Sequence, residues 1–228
     1  MGDPSPAAGL NHVYDTLFRC YGPQNWWPAE TPFEMMAGAI LTQSTAWSNV
    51  EKAVANLKKA GSLSPAAFRN LDVAELAALI RPSGYYNAKA KKLKALAEWL
   101  ETLDDDPTAL KSVAPNELRQ ELLGVHGIGP ETADSILLYA LEMPFFVIDA
   151  YTRRLFSRLG IAPCPDRYDD WQQLFTTALT PDPALYNEFH ALIVNHAKTF
   201  CRVRPRCSEC CLRIDCRDAD KLINPLKV

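Results

Sequence analysis

The sequence of 228 residues predicts an all-α fold, on three observations. Apolar residues recur at three- and four-residue steps through most of the chain, which is the period of an amphipathic helix. Proline and glycine separate these segments, as they do between the helices of a compact domain. No segment keeps the apolar–polar alternation that is typical of a strand.

Helical periodicity is clearest in the first half of the chain. In the first periodic segment, the polar residues 42–45 have the composition of a helix end and turn, so two helices are expected there. Prolines and glycines then punctuate the chain between the later segments. The periodic segments are residues 33–57, 73–80, 88–103 and 115–122.

The next element depends on Asp149. It follows a short bulky run, residues 145–148, that fits either a strand or a buried connection. Residues 150–160 then place Leu155 and Leu159 on one helical face and end in glycine, a common helix stop. Asp149 is therefore predicted at a helix N-terminus, where its carboxylate can serve as an N-cap.

Charge and composition exclude several classes of protein. With 24 Lys and Arg against 27 Asp and Glu, the net charge of −3 argues against a chain that coats nucleic acid through a global positive field. A local basic face remains compatible with it. No apolar run approaches the roughly 18 residues that cross a bilayer. The first residues lack a secretory signal, so a cytoplasmic location is expected. A monomer without membrane contact is also expected.

Closely spaced glycines mark a predicted hairpin between two helices, in residues 122–134. Gly127 and Gly129 allow positive φ and close backbone approach, and Pro130 suits the first position of the next helix. Such a turn directs unpaired backbone N–H groups outward, where they can bind a DNA phosphate. The alternative is a helix-to-helix turn that simply requires glycine.

A cysteine cluster follows near the end of the chain. Five of the seven cysteines lie in the last 28 residues, and four of them form the pattern C-x5-C-x2-C-x5-C. In a reducing compartment four such thiolates hold tetrahedral zinc or an iron–sulfur cluster, and the spacing alone does not choose between them. Cys211 is a spare thiol, and a disordered cysteine-rich tail is the remaining alternative. The four are Cys201, Cys207, Cys210 and Cys216.

These motifs together resemble a known family. The string G-V-H-G-I-G-P-E-T-A-D, followed by the Asp of V-I-D-A-Y-T-R-R, resembles the helix-hairpin-helix plus Gly/Pro-Asp superfamily of DNA glycosylases. The segment I-L-T-Q-S-T and the four-cysteine tail extend the likeness to the endonuclease III branch, particularly its monofunctional 3-methyladenine glycosylases. The resemblance implies two helical domains with a DNA cleft between them, and double-stranded DNA with a damaged base as partner. The domains would be residues 32–142, with the hairpin, and residues 1–31 with 143–228, carrying Asp149 and the cysteines.

The resemblance also implies an activity. Bifunctional members carry a Lys immediately before the Thr-Ala pair, whereas this chain has Glu131, which cannot form the Schiff base of a lyase. A monofunctional glycosylase is therefore expected, in which Asp149 stabilises an oxocarbenium-like sugar or helps a water to attack it. Such enzymes suit bases that are already good leaving groups, such as 3-methyladenine. The alternatives are another damaged or mismatched base, or a catalytically silent DNA-damage binder.

Four residues resemble the aromatic base pocket of the 3-methyladenine glycosylases, and aromatic faces attract a cationic base. Ordinary core packing is the other interpretation of these tryptophans. The family tail usually reads C-x6-C-x2-C-x5-C and holds a [4Fe-4S] cluster; the first gap here is one residue shorter, so the cluster is expected and zinc is the alternative. The four pocket residues are Trp26, Trp27, Pro28 and Trp47.

The remaining expected contacts are with DNA. Gln43 matches the family residue that fills the gap left by a flipped nucleotide, although a Gln in a turn is often simply solvated. Arg153 and Arg154 follow Asp149 and are expected to contact the DNA backbone, together with the hairpin residues and Glu131. Residues 89–94 include four lysines that fit either phosphate contacts or a solvated helix face.

Overall fold

The structure is a computed structural model that describes residues 6–223. Within these residues the chain is helical without strands, which confirms the predicted all-α fold. Shorter helical turns occur at Arg81–Ser83, Ala109–Ser112, Ile136–Ala140 and Cys207–Glu209. The α-helices are α1 Pro6–Tyr21, α2 Pro32–Leu41, α3 Trp47–Lys59, α4 Pro65–Asn70, α5 Val73–Leu79, α6 Tyr86–Glu101, α7 Pro115–Gly124, α8 Pro130–Ser135, α9 Ala150–Leu159, α10 Tyr168–Ala178, α11 Pro183–Thr199 and α12 Ala219–Ile223.

Several helices begin where the sequence supplies a cap. The hydroxyl of Thr31 accepts a hydrogen bond from the Glu34 N–H at the start of α2, and Ser64 does the same for Ala67 in α4. Proline occupies the first helical position after each of these caps. Helix α9 stops before Gly160, which has φ 78°, the left-handed conformation expected after a helix end.

The run at 145–148 is a buried connection. It has no regular secondary structure, and Phe146, Val147 and Ile148 are almost fully buried. The strand alternative for this segment is therefore wrong. The segment delivers Asp149 to the start of α9 directly from the core.

Contacts divide the described chain into two compact units. The first runs to Trp26 and resumes at Pro144, and the second comprises Trp27–Met143. The second unit begins before the predicted boundary at residue 32, because Trp27 packs against Trp47 and Tyr139. That the units are separate folding domains stays a prediction, and the outer ends of the predicted domains, residues 1–5 and 224–228, lie outside the described residues.

The core of the first unit is aromatic. Phe146 stacks on Phe175 of α10 with ring centroids 4.1 Å apart, and Phe156 and Phe189 add edge contacts from α9 and α11. The core of the second unit centres on α2, which is buried on nearly all sides. In the part of the chain that the structure describes, none of these helices has both the length and the apolar character that a bilayer crossing requires.

Candidate functional site

Asp149 caps α9 in the first unit, as predicted. One carboxylate oxygen, Oδ1, accepts a hydrogen bond of 2.7 Å from the backbone N–H of Thr152. The other, Oδ2, lies 3.6 Å from Nε2 of His190 on α11. Only 12% of the Asp149 side chain and 8% of the His190 side chain are exposed. The carboxylate is therefore largely excluded from solvent, and each of its oxygens has a polar neighbour.

These contacts control the charge of Asp149. Burial by itself raises the pKa of a carboxyl group, because it penalises the charged form. The contact with His190 and the N–H of Thr152 act in the opposite direction and outweigh burial, so the pKa of Asp149 is lowered from its usual value. The carboxylate is therefore ionised at neutral pH.

We expect His190→Gln to move the acid limit of any reaction that needs the Asp149 carboxylate to higher pH. Loss of the imidazole removes an influence that lowers the pKa of Asp149, so the carboxyl group protonates at a higher pH. The measurement is the pH profile of single-turnover base release, the activity that the resemblance in the sequence implies. An acid limb at the same pH in both proteins would contradict this role of His190.

Arg153 and Arg154 have contacts of their own within the first unit. The guanidinium of Arg153 pairs with Asp166 at 2.6 Å. Arg154 donates from Nε to the backbone oxygen of Cys201 at 2.8 Å, and its guanidinium lies 5.1 Å from the Tyr151 ring centre. Their role in DNA contact stays a prediction. To bind a phosphate, each guanidinium would have to give up these contacts or make them together with the phosphate.

The hairpin lies in the second unit, between α7 and α8. Val125 and Ile128 point into the core, while His126, Gly129 and Pro130 are exposed. Gly127 has φ 83°, as expected, but Gly129 has φ −96° and ψ 178°. Gly129 therefore does not adopt the positive φ that glycine allows, because the residue before a proline favours the extended region.

Gln43 is bound to this hairpin. Its Nε2 donates to the backbone oxygen of Gly127 at 3.2 Å and to the hydroxyl of Thr132 at 2.9 Å. Its Oε1 accepts a hydrogen bond of 2.5 Å from the ammonium of Lys92 on α6. The structure thus brings together two predicted DNA-contacting elements. A merely solvated glutamine does not describe this residue.

The lysines of α6 differ sharply from one another. Lys89 is buried, and its ammonium donates to the backbone oxygens of Leu41 and Ser83. Burial lowers the pKa of Lys89 to about 8. Lys94 donates to three backbone oxygens at the end of α4. Lys89 and Lys94 therefore hold the fold together, and the idea of a simple solvated or phosphate-binding lysine face is wrong for them.

We expect Gly127→Ala to destabilise the hairpin. The left-handed conformation costs a non-glycine residue about 1–2 kcal/mol, and a Cβ at this position would overlap the side chain of Lys92. Gly124→Ala is the matched control, because an added Cβ there meets open space at the end of α7. The melting temperature and the affinity for an undamaged duplex should fall for Gly127→Ala alone. Equal melting temperatures of the two variants would contradict this account.

Three of the four predicted pocket residues line one cavity in the second unit. Trp27, Pro28 and Trp47 border a cavity of about 220 Å³. The two indole rings meet edge to face, with centroids 5.0 Å apart and planes at 87°. Trp26 is half-buried, belongs to the first unit and is not among the residues that line this cavity. Trp27 and Trp47 are half-buried, and their role as pocket residues stays a prediction.

The polar lining of this cavity is mainly acidic. The indole N–H of Trp47 donates to Glu51 at 2.9 Å. Lys58 pairs with the nearly buried Glu34 at 3.0 Å and with Glu30 at 2.9 Å. The cavity is thus lined by two carboxylates, of Glu34 and Glu51, and one ammonium, of Lys58, an environment that favours a positively charged guest.

The predicted cysteine ligands come together in the first unit. All four cysteines line one mainly apolar cavity with residues of α9 and α11, and Cys211 lines a second cavity together with Cys210 and Cys216. Cys211 does not line the first cavity, and the role of the four cysteines as ligands stays a prediction. Among the residues that the structure describes, no group of three or more His, Cys, Asp and Glu is placed to hold a single metal ion. The four are Cys201, Cys207, Cys210 and Cys216.

Two side chains contact these sulfurs. Nη1 of Arg158 lies 3.3 Å from Sγ of Cys201, and Nε2 of His196 lies 3.4 Å from Sγ of Cys210. Neither residue was identified from the sequence. His190 was also missed as a site residue, since it approaches Asp149 from a distant part of the chain. The only available signal was their position in helices that flank a motif.

Glu131 is exposed in the first turn of α8, where a carboxylate interacts favourably with the N-terminal end of the helix. The resemblance to the family implies that bifunctional members have Lys at this position. The side chain offers no amine.

Comparison with known proteins identifies the family. Residues 37–181 match the model of the HhH-GPD superfamily of base excision DNA repair proteins. A putative DNA repair glycosylase of Methanocaldococcus jannaschii is 46% identical, covering 90% of this chain and 94% of the relative. Endonuclease III of Sulfolobus acidocaldarius is 29% identical over 81% of each chain. The H. pylori 3-methyladenine DNA glycosylase MagIII, solved with 1,N6-ethenoadenine, has a TM-score of 0.71 and 30% identity over 86% of this chain and 98% of its own. The chain therefore belongs to the HhH-GPD superfamily of base excision DNA repair proteins, in the endonuclease III-like branch.

Proposed function

We propose that this protein is a DNA glycosylase that hydrolyses the N-glycosidic bond of a damaged base, with Asp149 as its catalytic carboxylate and without lyase activity. The observation that carries the proposal is the buried, ionised carboxylate of Asp149 in a chain of this family. Base flipping gives such an enzyme access to the glycosidic carbon. Gln43 and the hairpin residues Gly127, Gly129 and Glu131 would contact the duplex from which the base is removed.

Asp149 would act on the sugar. As the bond between the base and C1′ breaks, positive charge develops on the sugar ring, and an adjacent carboxylate stabilises it. The base leaves with the electron pair of this bond. A water then forms the new bond to C1′ and releases one proton to the solvent. The nearly dry position of Asp149 strengthens this electrostatic effect, because little solvent screens the charge.

The cavity beside Trp27, Pro28 and Trp47 supports an alkylated purine as substrate. Two perpendicular indole rings give stacking surfaces for a flat base, and the acidic lining favours one that carries a positive charge. The similarity to the H. pylori enzyme, named for 3-methyladenine, points in the same direction. Trp26 stays a predicted pocket residue without this support.

The proposed cofactor is a [4Fe-4S] cluster held by the four cysteines that share one cavity. A single zinc ion needs four sulfurs about 2.3 Å from one point, whereas each cysteine of a cluster binds a different iron atom. The resemblance of the four-cysteine tail to that of the endonuclease III branch supports the cluster, and zinc is the alternative. The cluster would fix the loop around it and take no part in hydrolysis. A cytoplasmic location and a monomeric state stay predictions from the sequence.

A panel of duplexes tests the function directly. Each duplex carries one lesion, including 7-methylguanine, 3-methyladenine, 1,N6-ethenoadenine, uracil and thymine opposite guanine. Base release is scored by strand cleavage after alkali, and lyase activity by cleavage without alkali. We expect release of methylated purines and cleavage only after alkali. Release of uracil or thymine alone would contradict the proposal that alkylated purines are the substrate. Cleavage without alkali, together with a borohydride-trapped adduct, would contradict the proposed lack of lyase activity.

We expect Trp27→Ala or Trp47→Ala to weaken recognition of the base by about 1–3 kcal/mol per lost stacking ring. That range corresponds to a roughly ten- to hundredfold lower single-turnover rate at subsaturating enzyme. The measurement pairs this rate with the melting temperature. A buried core tryptophan would instead cost about 3–5 kcal/mol of stability. Unchanged excision of 3-methyladenine by folded variants would contradict the pocket.

A further inference from the structure

The contact between His196 and Cys210 continues to a third residue. His196 lies on α11 and is fully buried. Its Nδ1 is 2.8 Å from the hydroxyl of Tyr21, the last residue of α1, and its Nε2 is 3.4 Å from Sγ of Cys210. The three side chains thus form one hydrogen-bonded chain from the end of α1 to a proposed ligand sulfur.

The direction of these hydrogen bonds follows from the chemistry of a ligand. A cysteine that binds iron is a thiolate and can only accept a hydrogen bond. Nε2 of His196 must therefore carry the proton and donate it to Sγ of Cys210. The neutral ring then has an unprotonated Nδ1, so the hydroxyl of Tyr21 must be the donor to it. Tyr21 thereby selects the tautomer of His196 that faces the sulfur.

A second ligand sulfur has a charged donor. Nη1 of Arg158, on α9, lies 3.3 Å from Sγ of Cys201 and donates a further bond of 2.7 Å to the backbone oxygen of Arg202. The guanidinium is held in place by this second bond and by a hydrogen bond of 3.3 Å from Nη2 to the backbone oxygen of Val203. Its positive charge stabilises a negative thiolate at Cys201, as the hydrogen bond from His196 does at Cys210.

We propose that Tyr21, His196 and Arg158 are positioning residues for the iron–sulfur cluster, which hold the sulfurs of Cys210 and Cys201 and stabilise its reduced state. The inference rests on the proposed cluster. Reduction adds one electron, and hydrogen bonds to the ligand sulfurs favour the more negative state. Partners outside the ligand set also fix the ligands, and their loss typically lowers metal affinity by about 10–100-fold.

The test uses full-length protein purified with its iron, without reference to excision activity. Two variants address the chain of hydrogen bonds. His196→Leu removes the donor with little change in volume, and Tyr21→Phe removes only the hydroxyl that sets the tautomer. Tyr14→Phe is the matched control, because Tyr14 is also on α1 but packs against Phe18 and Phe189. Midpoint potential by voltammetry and the rate of iron loss to a chelator are measured for each.

We expect His196→Leu to lower the midpoint potential and to speed iron loss about tenfold or more. Tyr21→Phe should also lower the midpoint potential and speed iron loss, but by less than His196→Leu does. Tyr14→Phe should match the wild type in both measurements. His196→Gln, whose side-chain amide can still donate, should recover part of the potential. If His196→Leu does not fold, Tyr21→Phe decides the question.

The outcomes separate the inference from the cofactor on which it depends. Potentials and iron-loss rates equal to the wild type in iron-loaded Tyr21→Phe and His196→Leu would overturn this inference and leave the cluster standing. Wild-type protein that contains zinc, or no iron and sulfide, would overturn the cluster and this inference with it. Neither result bears on base excision at Asp149, which the duplex panel tests separately.

Discussion

Asp149→Asn should release base at least about 10²-fold more slowly than the wild type, within the 10²–10⁴-fold range typical of lost acid–base or charge stabilisation. Asparagine keeps the size of the side chain and is as good an N-cap as aspartate, so α9 should still begin at Ala150. What disappears is the negative charge that stabilises the developing sugar cation. The rate is measured in single turnover on a duplex with a methylated purine.

Binding and stability data complete this test. The variant should bind the damaged duplex as well as the wild type, since no DNA contact is assigned to the charge of Asp149. Asp182→Asn is the matched control, because Asp182 caps α11 in the same way, accepting a hydrogen bond of 2.8 Å from the N–H of Ala184. Full activity in Asp149→Asn would refute the catalytic role. Lesion binding without base release in both wild type and variant would instead identify a DNA-damage binder.

The charge of Asp149 also links activity and stability to pH. Its pKa is lower in the folded protein than in the unfolded chain, so the ionised carboxylate stabilises the fold above the unfolded value of about 3.9. This contribution is lost as the pH falls through the folded pKa. Excision and stability should therefore both persist at mildly acidic pH and decline together in strong acid.

Features that depend on neighbouring residues could be predicted from the sequence. Asp149 as a cap and Gly160 as a stop of α9 follow from local backbone chemistry. So does the turn between α2 and α3. The extended backbone of Gly129 is local in the same way, because Pro130 restricts the residue before it although glycine allows positive φ.

Contacts between distant segments could not be predicted. Gln43 and Lys92 are 49 residues apart, and Tyr21 and His196 are 175 apart. Helical periodicity tells which face of an element is buried, but it does not tell which side chain of another element meets it. Lys92 and Lys94 illustrate this, because neighbours in one lysine run bind a predicted DNA-contacting glutamine and the end of α4, respectively. The tryptophan pair shows the same limit, since Trp26 and Trp27 fall in different units.

Asp134→Ala should be the most destabilising single change in the hairpin region. Asp134 is 0% exposed, and both of its carboxylate oxygens accept hydrogen bonds from Arg119 of α7, at 2.7 and 3.1 Å. Removing one partner of a buried ion pair costs about 3–5 kcal/mol, because the other charge stays buried without its main counter-ion. The free energy of unfolding in denaturant measures this loss.

Two further variants identify burial as the cause. Lys111→Ala removes an exposed ion pair with Glu142 in the same unit, and such pairs contribute only about 0–1 kcal/mol. The double variant Arg119→Met with Asp134→Leu removes both charges and should recover most of the stability lost in Asp134→Ala. A loss below about 1 kcal/mol for Asp134→Ala, similar to that of Lys111→Ala, would mean that water reaches Arg119 once the carboxylate is gone. In that case the ion pair would not hold α7 against α8, and the geometry of the hairpin would depend on Val125, Ile128 and the Gln43 contacts instead.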